Sequence, residues 1–149
     1  ASGSIMKQAI EAKTRLEASG FGVSLWSITS FVELQRDALA TAAHNRQDPT
    51  GQPRTSTLQA MFADASGAII AVTDYMASLA QGIAAWMPEG YEVLGTDGFG
   101  LSESRPRLRA HVGVDAEAIV HAALANLYRQ GKIQAHQLGD TQQTFQGET

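Results

Sequence analysis

Three places along the chain set hydroxyl and carboxylate side chains directly after an apolar run. Ser27, Thr29 and Ser30 follow one run, Thr73 and Asp74 a second, and Thr96 and Asp97 a third. Ligands of open α/β sheets bind outside the carboxyl ends of the strands, so these exits could line a small acidic pocket. The competing reading is that each residue caps the helix or turn that follows, by accepting from backbone N–H groups left free there. Arg105, Arg107 and Arg109 come soon after the third exit and could grip a carboxylate or phosphate. They could equally form the solvated start of a short helix with Pro106 in its first turn. Between them lies "GTDGFG", residues 95–100. It has neither the glycine spacing of a dinucleotide site nor a Walker lysine. Its glycines are expected to allow a sharp strand exit, and Phe99 to fill a packing gap.

Other chemistries find less support. His44, His111, His121 and His136 have no partners at metal-ligand spacing. No Gly-x-Ser-x-Gly elbow occurs, which argues against a serine hydrolase. Asp37 and Asp48 are isolated. The absence of cysteine excludes disulfides, thiolate metal sites and cysteine nucleophiles, and suits a reducing cytoplasm. A formal net charge of -4 argues against nucleic acid as partner. No apolar run approaches the ~20 residues that span a bilayer, and the opening residues read as a helix cap, not a signal peptide. On these residues alone the chain is a soluble α/β domain without a visible active site.

The elements that must position the exits follow from periodicity and punctuation. Ser4 is expected to cap a helix to about Ser19, with Ile5, Ala9, Ala12 and Leu16 at helical spacing and Gly20 as exit. Gly22 to Ile28 reads as a strand. Ser30 and Glu33 form a capping box, a motif whose cap contributes about 1 kcal/mol, for a helix from Phe31 to about His44. Asn45 to Ser56 is a polar loop, and a short helix follows around Leu58 to Phe62. Ala68 to Thr73 is a continuous apolar run, as in a strand buried on both faces. Asp74 is expected to cap a helix reaching Trp86, lined by Met76, Leu79, Ala80 and Ile83, with Pro88 at its end. Tyr91 to Gly95 is the next strand. Asp115 caps a last helix, Ala116 to Gln130, whose inner face carries Ile119, Val120, Ala123, Leu124 and Leu127. Residues 1–133 form the domain, and 134–149 a polar, flexible tail. Strands alternating with helices predict a mostly parallel sheet covered on both faces.

The residues also resemble a known family. "ASGSIMKQAIEA", "WSITSFVELQRDAL", "AVTDYM" and "YEVLGTDGFGLSESRPRLRAHVGVDAEAIVHAAL" occur in the order and at the separations of the carboxyl-terminal domain of the homodimeric bacterial pyruvate dehydrogenase E1 component, a transketolase C-terminal-like domain. His111 and Val112 depart from it, standing where that family carries aromatic residues. The resemblance implies a three-layer α/β/α domain with a mixed sheet, and a parent of three domains working as a homodimer. Thiamine diphosphate, magnesium and the catalytic groups are then held by the other domains. This domain would supply none of the catalytic, cofactor or metal residues, and the isolated chain would be inactive. The parent would decarboxylate pyruvate oxidatively, pass acetyl to lipoyl groups of an E2 acyltransferase, and work in the cytoplasm.

Two expectations follow. As an assembly domain, the chain should expose apolar side chains toward neighbouring domains or a second subunit; Trp86, Met87, Tyr91 and Phe99 are candidates. Asp74, Tyr75, Asp97, Phe99, Arg105 and Arg107 are the candidate strand-exit and interface residues. As a stand-alone small-anion binder, it should instead join Asp74 or Asp97 to Arg105 or Arg107 in one pocket. In both cases a strand should feed the first helix, yet only its last turn is present at Ala1. The chain reads as cut from a longer one, with a sheet short of its first strand. Either the sheet is rearranged, or residues ahead of Ala1 supply the strand. Without that strand the Val23 and Ala68 strands face a gap, and direct hydrogen bonding of Val23–Ser27 to Ile69–Val72 would contradict this gap picture.

Overall fold

The computed structural model describes residues 1–98 and 100–138. Phe99, and the expected tail from residue 139 onward, lie outside the described residues.

Six α-helices and two strands are described: α1 (Met6–Ala18), α2 (Phe31–Gln47), α3 (Thr57–Met61), β1 (Ile69–Val72), α4 (Ala77–Gln81), β2 (Tyr91–Leu94), α5 (Arg105–Val112) and α6 (Ala116–Arg129). β1 and β2 pair in parallel, with Ile69 opposite Tyr91 and Val72 opposite Leu94. Side chains alternate across this pair, as the pleat requires. Ile70, Val72 and Leu94 join Ile5, Ala9, Leu16, Ile119 and Val120 in a core under α1 and α6. Ala71, Tyr91 and Val93 join Phe31, Leu58, Ala80 and Ile83 in a second core under α2, α3 and α4. The layers are α/β/α, as expected. Both cores are apolar, which explains why "AIIAVT" has no polar alternation.

Local chemistry sets most boundaries. Ser30 Oγ accepts from the Glu33 N–H at 3.2 Å. The Glu33 carboxylate does not complete the expected box, because it pairs with Arg36 at 3.1 Å. A full capping box occurs instead at α3, where Ser56 and Gln59 bond reciprocally. Asp115 Oδ1 accepts from Ala118 N at 2.9 Å, and Gly131 follows α6 at φ 68°. α2 runs one turn past His44, to Gln47; Asn45 then clamps the loop, donating to Arg54 O and accepting from Arg54 N, each at 2.9 Å.

Three expectations need correction. Gly22 to Ile28 is extended but lies in no sheet. A strand requires a partner ladder, and this segment does not bond to β1. It is fixed by Trp26 packing on Phe62, with ring centroids 6.0 Å apart, by Lys13 Nζ donating to Val23 O at 2.8 Å, and by Ala1. Ser4 does not cap α1; a 3-10 turn, Gly3–Ile5, precedes that helix and the Ser4 hydroxyl turns to Asp74. Asp74 does not cap α4, which is shorter than expected and is followed by a separate 3-10 turn at Ala84–Trp86. Ala77 and Ala80 are its buried residues; Ile83, just beyond it, is buried too, while Met76 and Leu79 are exposed.

Candidate strand-exit site

The two described strands end side by side, so their exits meet. Thr73 Oγ1 accepts from Ser2 Oγ at 3.1 Å and from Tyr75 N at 3.2 Å. Asp74 Oδ2 accepts from Ser4 Oγ. Ser4 Oγ in turn accepts from Arg109 Nη2 at 3.2 Å. Guanidinium, hydroxyl and carboxylate thus form a relay that ties α5 and the approach to α1 onto the β1 exit. Gly3 makes the approach possible: its φ is +63°, and a Cβ there would stand 3.2 Å from Asp74 Oδ1. The third exit joins by another route. Asp97 Oδ1 accepts from Ala77 N at 3.0 Å, serving as the cap of α4 from twenty residues away. Thr96 N donates to Tyr75 O at 2.9 Å.

The candidate residues therefore divide. Asp74, Tyr75 and Asp97 sit together at the strand ends. Arg105 and Arg107 are exposed on α5, and Arg107 pairs with Glu103 at 3.5 Å. Of the three arginines, Arg109 is the one that reaches the exit cluster. A cavity of about 270 Å³ beside α5 is lined by Arg15 and Arg109 together with Glu11, Asp115 and Glu117, a balance that does not favour an anion. From the first exit, Ser30 is engaged in capping α2, while Ser27 and Thr29 are exposed.

Sequence reasoning missed Ser2, Ser4 and Arg109 as members of the cluster. Ser4 has the spacing of a local cap, but its partner lies seventy residues on. A second polar cluster was also missed: Glu92 Oε2 on β2 accepts from Asn126 Nδ2 at 3.1 Å and from Arg129 at 2.5 Å, and Asn126 Oδ1 accepts from Gln130 at 2.7 Å. Asn126 is buried, so this network satisfies a polar side chain under the sheet.

Chemically, the exit cluster is a latch. Ser4 donates its hydroxyl hydrogen bond to a carboxylate and accepts one from a cation, so the hydroxyl bridges the two charges. Among the described residues, no three His, Cys, Asp or Glu side chains converge as a metal site requires. Beside the cluster three large apolar side chains are exposed. Tyr75 is 58% exposed, Met76 43% and Leu79 37%. Of the residues expected to form such a patch, Trp86, Met87 and Tyr91 are half-buried against the second core, and Phe99 lies outside the described residues. Burial pushes the Tyr91 phenol well above its ordinary value, and its hydroxyl donates to Ala80 O at 2.7 Å.

The transketolase-like TK C-terminal domain family model matches residues 1–115. Similar proteins include the pyruvate dehydrogenase E1 component of Mycolicibacterium smegmatis, 41% identical over 137 residues, covering 91% of this chain. Those of Pseudomonas aeruginosa and Escherichia coli K12 are 42% and 40% identical, covering 89% and 93% of this chain. The chain spans only 15–16% of the length of these relatives.

Proposed function

The chain belongs to the transketolase-like C-terminal domain family, and on that premise we propose that it is the assembly domain of a pyruvate dehydrogenase E1 component. The parent polypeptide decarboxylates pyruvate with thiamine diphosphate and magnesium, both held by its other domains, and delivers acetyl to the lipoyl groups of an E2 acyltransferase. It works as a homodimer in the cytoplasm. No helix among the described residues is long and apolar enough to cross a membrane. The domain's contribution is a rigid, apolar-tipped strand exit that docks on a neighbouring domain or the second subunit. Asp74 and Asp97 shape that tip by holding the two exit loops together.

The observation that carries this reading is the exposed run Tyr75, Met76 and Leu79 at the end of the sheet. Isolated apolar residues are ordinary on a surface, but a contiguous apolar tip beside a fixed polar latch marks an interaction site. The test is the double variant Tyr75→Ser, Met76→Ser in the full-length E1 polypeptide. Sedimentation equilibrium should show dimer dissociation strengthened at least tenfold, with pyruvate decarboxylation falling on dilution. An unchanged dimer constant and unchanged activity at every dilution would overturn the assignment of this tip.

A further inference from the structure

The outer flank of α2 carries a regular seam. Val32, Arg36, Leu39, Ala43 and Arg46 follow one another at alternating spacings of four and three residues. That repeat keeps side chains in one line along a helix packed against another helix. Val32 and Leu39 stand two turns apart on this line, about 10 Å, yet they are 49% and 50% exposed. The other faces of α2 have partners. Phe31 and Ala38 enter the second core. Asp37 Oδ2 accepts from Thr57 N at 2.7 Å, and Asn45 holds Arg54, so α3 and its approach cover that side.

α4 borders the seam. Gln35 lies against the end of α4: a Cβ at Gly82 would stand 3.0 Å from Gln35 Nε2 and 3.2 Å from Leu79 O. Leu79 is thereby set beside α2, and Met76 precedes it by one turn. The Val32–Leu39 line therefore prolongs the exposed Tyr75, Met76 and Leu79 run along a second helix, instead of adding scattered single residues. The charges on the seam have one sign. Arg36 is 76% exposed and shares the Glu33 carboxylate at 3.1 Å. Arg46 is exposed and forms no hydrogen bond or ion pair with a described residue.

The area selects the kind of occupant. These side chains offer apolar surface on the order of a few hundred Å², below the roughly 800 Å² that each partner contributes to a free-standing complex. A segment tethered on the same polypeptide needs less, because the link raises its effective concentration to about the mM range. We propose that the seam seats an acidic amphipathic helix from another domain of the same polypeptide. Its apolar residues recur three and four apart and pack on Val32, Leu39 and Leu79, with the small Ala43 allowing close approach. Its carboxylates flank that stripe and pair with Arg36 and Arg46. This rests on the reading of the chain as one domain of an E1 polypeptide, and gives that reading a second surface and the chemistry of its partner.

The test places the photocrosslinker p-benzoylphenylalanine at position 39 of the full-length E1 polypeptide, paired in mixed dimers with isotope-labelled wild-type subunits. Irradiation and peptide sequencing should put the cross-link in an unlabelled segment outside the 149 residues. That segment should have apolar residues three and four apart and more acidic than basic side chains. The double variant Arg36→Glu, Arg46→Glu should lower the yield at least tenfold, and Arg36→Lys, Arg46→Lys should retain it. The exposed Arg36–Glu33 pair contributes little to the fold, so the charge reversal leaves the domain intact. A cross-link to the labelled subunit, to a segment without that pattern, or to none would overturn the proposal. So would a yield indifferent to the charge reversal. Failure of the underlying reading shows elsewhere, in a dimer constant that does not respond to Tyr75→Ser, Met76→Ser, which involves no residue of the seam.

Discussion

Gly95→Ala is the sharpest test of how the strand exits are built. A Cβ at this position would stand 2.6 Å from both the backbone N and the Cα of Ala77, and 2.8 Å from its Cβ. These atoms belong to the first turn of α4 and cannot swing aside as a long side chain would. Relief requires α4 to move off β2, which also stretches the 3.0 Å bond between Ala77 N and Asp97. Overpacking of this kind costs about 1–3 kcal/mol, and loss of a cap about 1 kcal/mol more. The sum is about 3 kcal/mol, or a fall in Tm of roughly 6–12 °C for a chain of this length. The neighbouring glycines supply the controls. Gly98 has φ +102° and open space around its Cα, so alanine there meets only the backbone penalty of about 1–2 kcal/mol. Gly100 has neither a close neighbour nor a positive φ, so alanine is neutral or stabilises by up to about 1 kcal/mol through the unfolded chain. Urea unfolding of the three variants should rank them in that order. A Gly95→Ala cost no larger than that of Gly98→Ala would refute the close approach of strand and helix.

Two further predictions concern buried ends of the polar network. Tyr91→Phe removes the 2.7 Å bond to Ala80 O and should destabilise by about 1 kcal/mol in urea unfolding. Because burial raises the Tyr91 pKa in the fold, the unfolded chain ionises first, and the stability this residue contributes is lost as pH rises past about 10. The Phe variant should lack that part of the alkaline loss, and an identical alkaline profile would contradict it. In the 149-residue polypeptide taken by itself, whose first residue is then a free ammonium, desolvation lowers the Ala1 pKa. The unfolded state then binds more protons, so this group makes the fold less stable at low pH and relieves that penalty as pH rises toward its ordinary value of about 8. Nα-acetylation should remove this rise from a plot of Tm against pH, and its persistence would point to another group.

The elements that were legible in the sequence carry their instructions locally. Ser30, Asp115 and Gly131 act within one turn of themselves, and "AIIAVT" and "YEVL" hold their strand character in six and four residues. What was not legible acts at a distance. Asp97 caps a helix that begins before it in the chain, and Ser4 passes over its own helix for Asp74. The spacing of a capping motif does not record such competition. Gly22 to Ile28 shows the same limit from another side. Its composition suits a strand, but strand formation depends on a neighbouring edge, and the segment's own residues cannot supply one. The apolar tip is illegible for a related reason: Met87 packs on the second core while Met76 is exposed, so residue type does not record which side chain the fold covers.

The separation of the interior into two cores bears on how this domain opens. Each core is closed by its own helices, α1 with α6 and α2 with α3 and α4, and the two share a ladder only four residues long. Fluctuations that spread across a wide sheet would here tend to stop at that ladder. The α2–α4 half and the α1–α6 half should therefore behave as distinct units of subglobal opening, each with its own exchange free energy. Cooperativity would then be a property of the sheet's width: every strand added between β1 and the 22–28 segment couples the halves more tightly and brings their opening closer to one event.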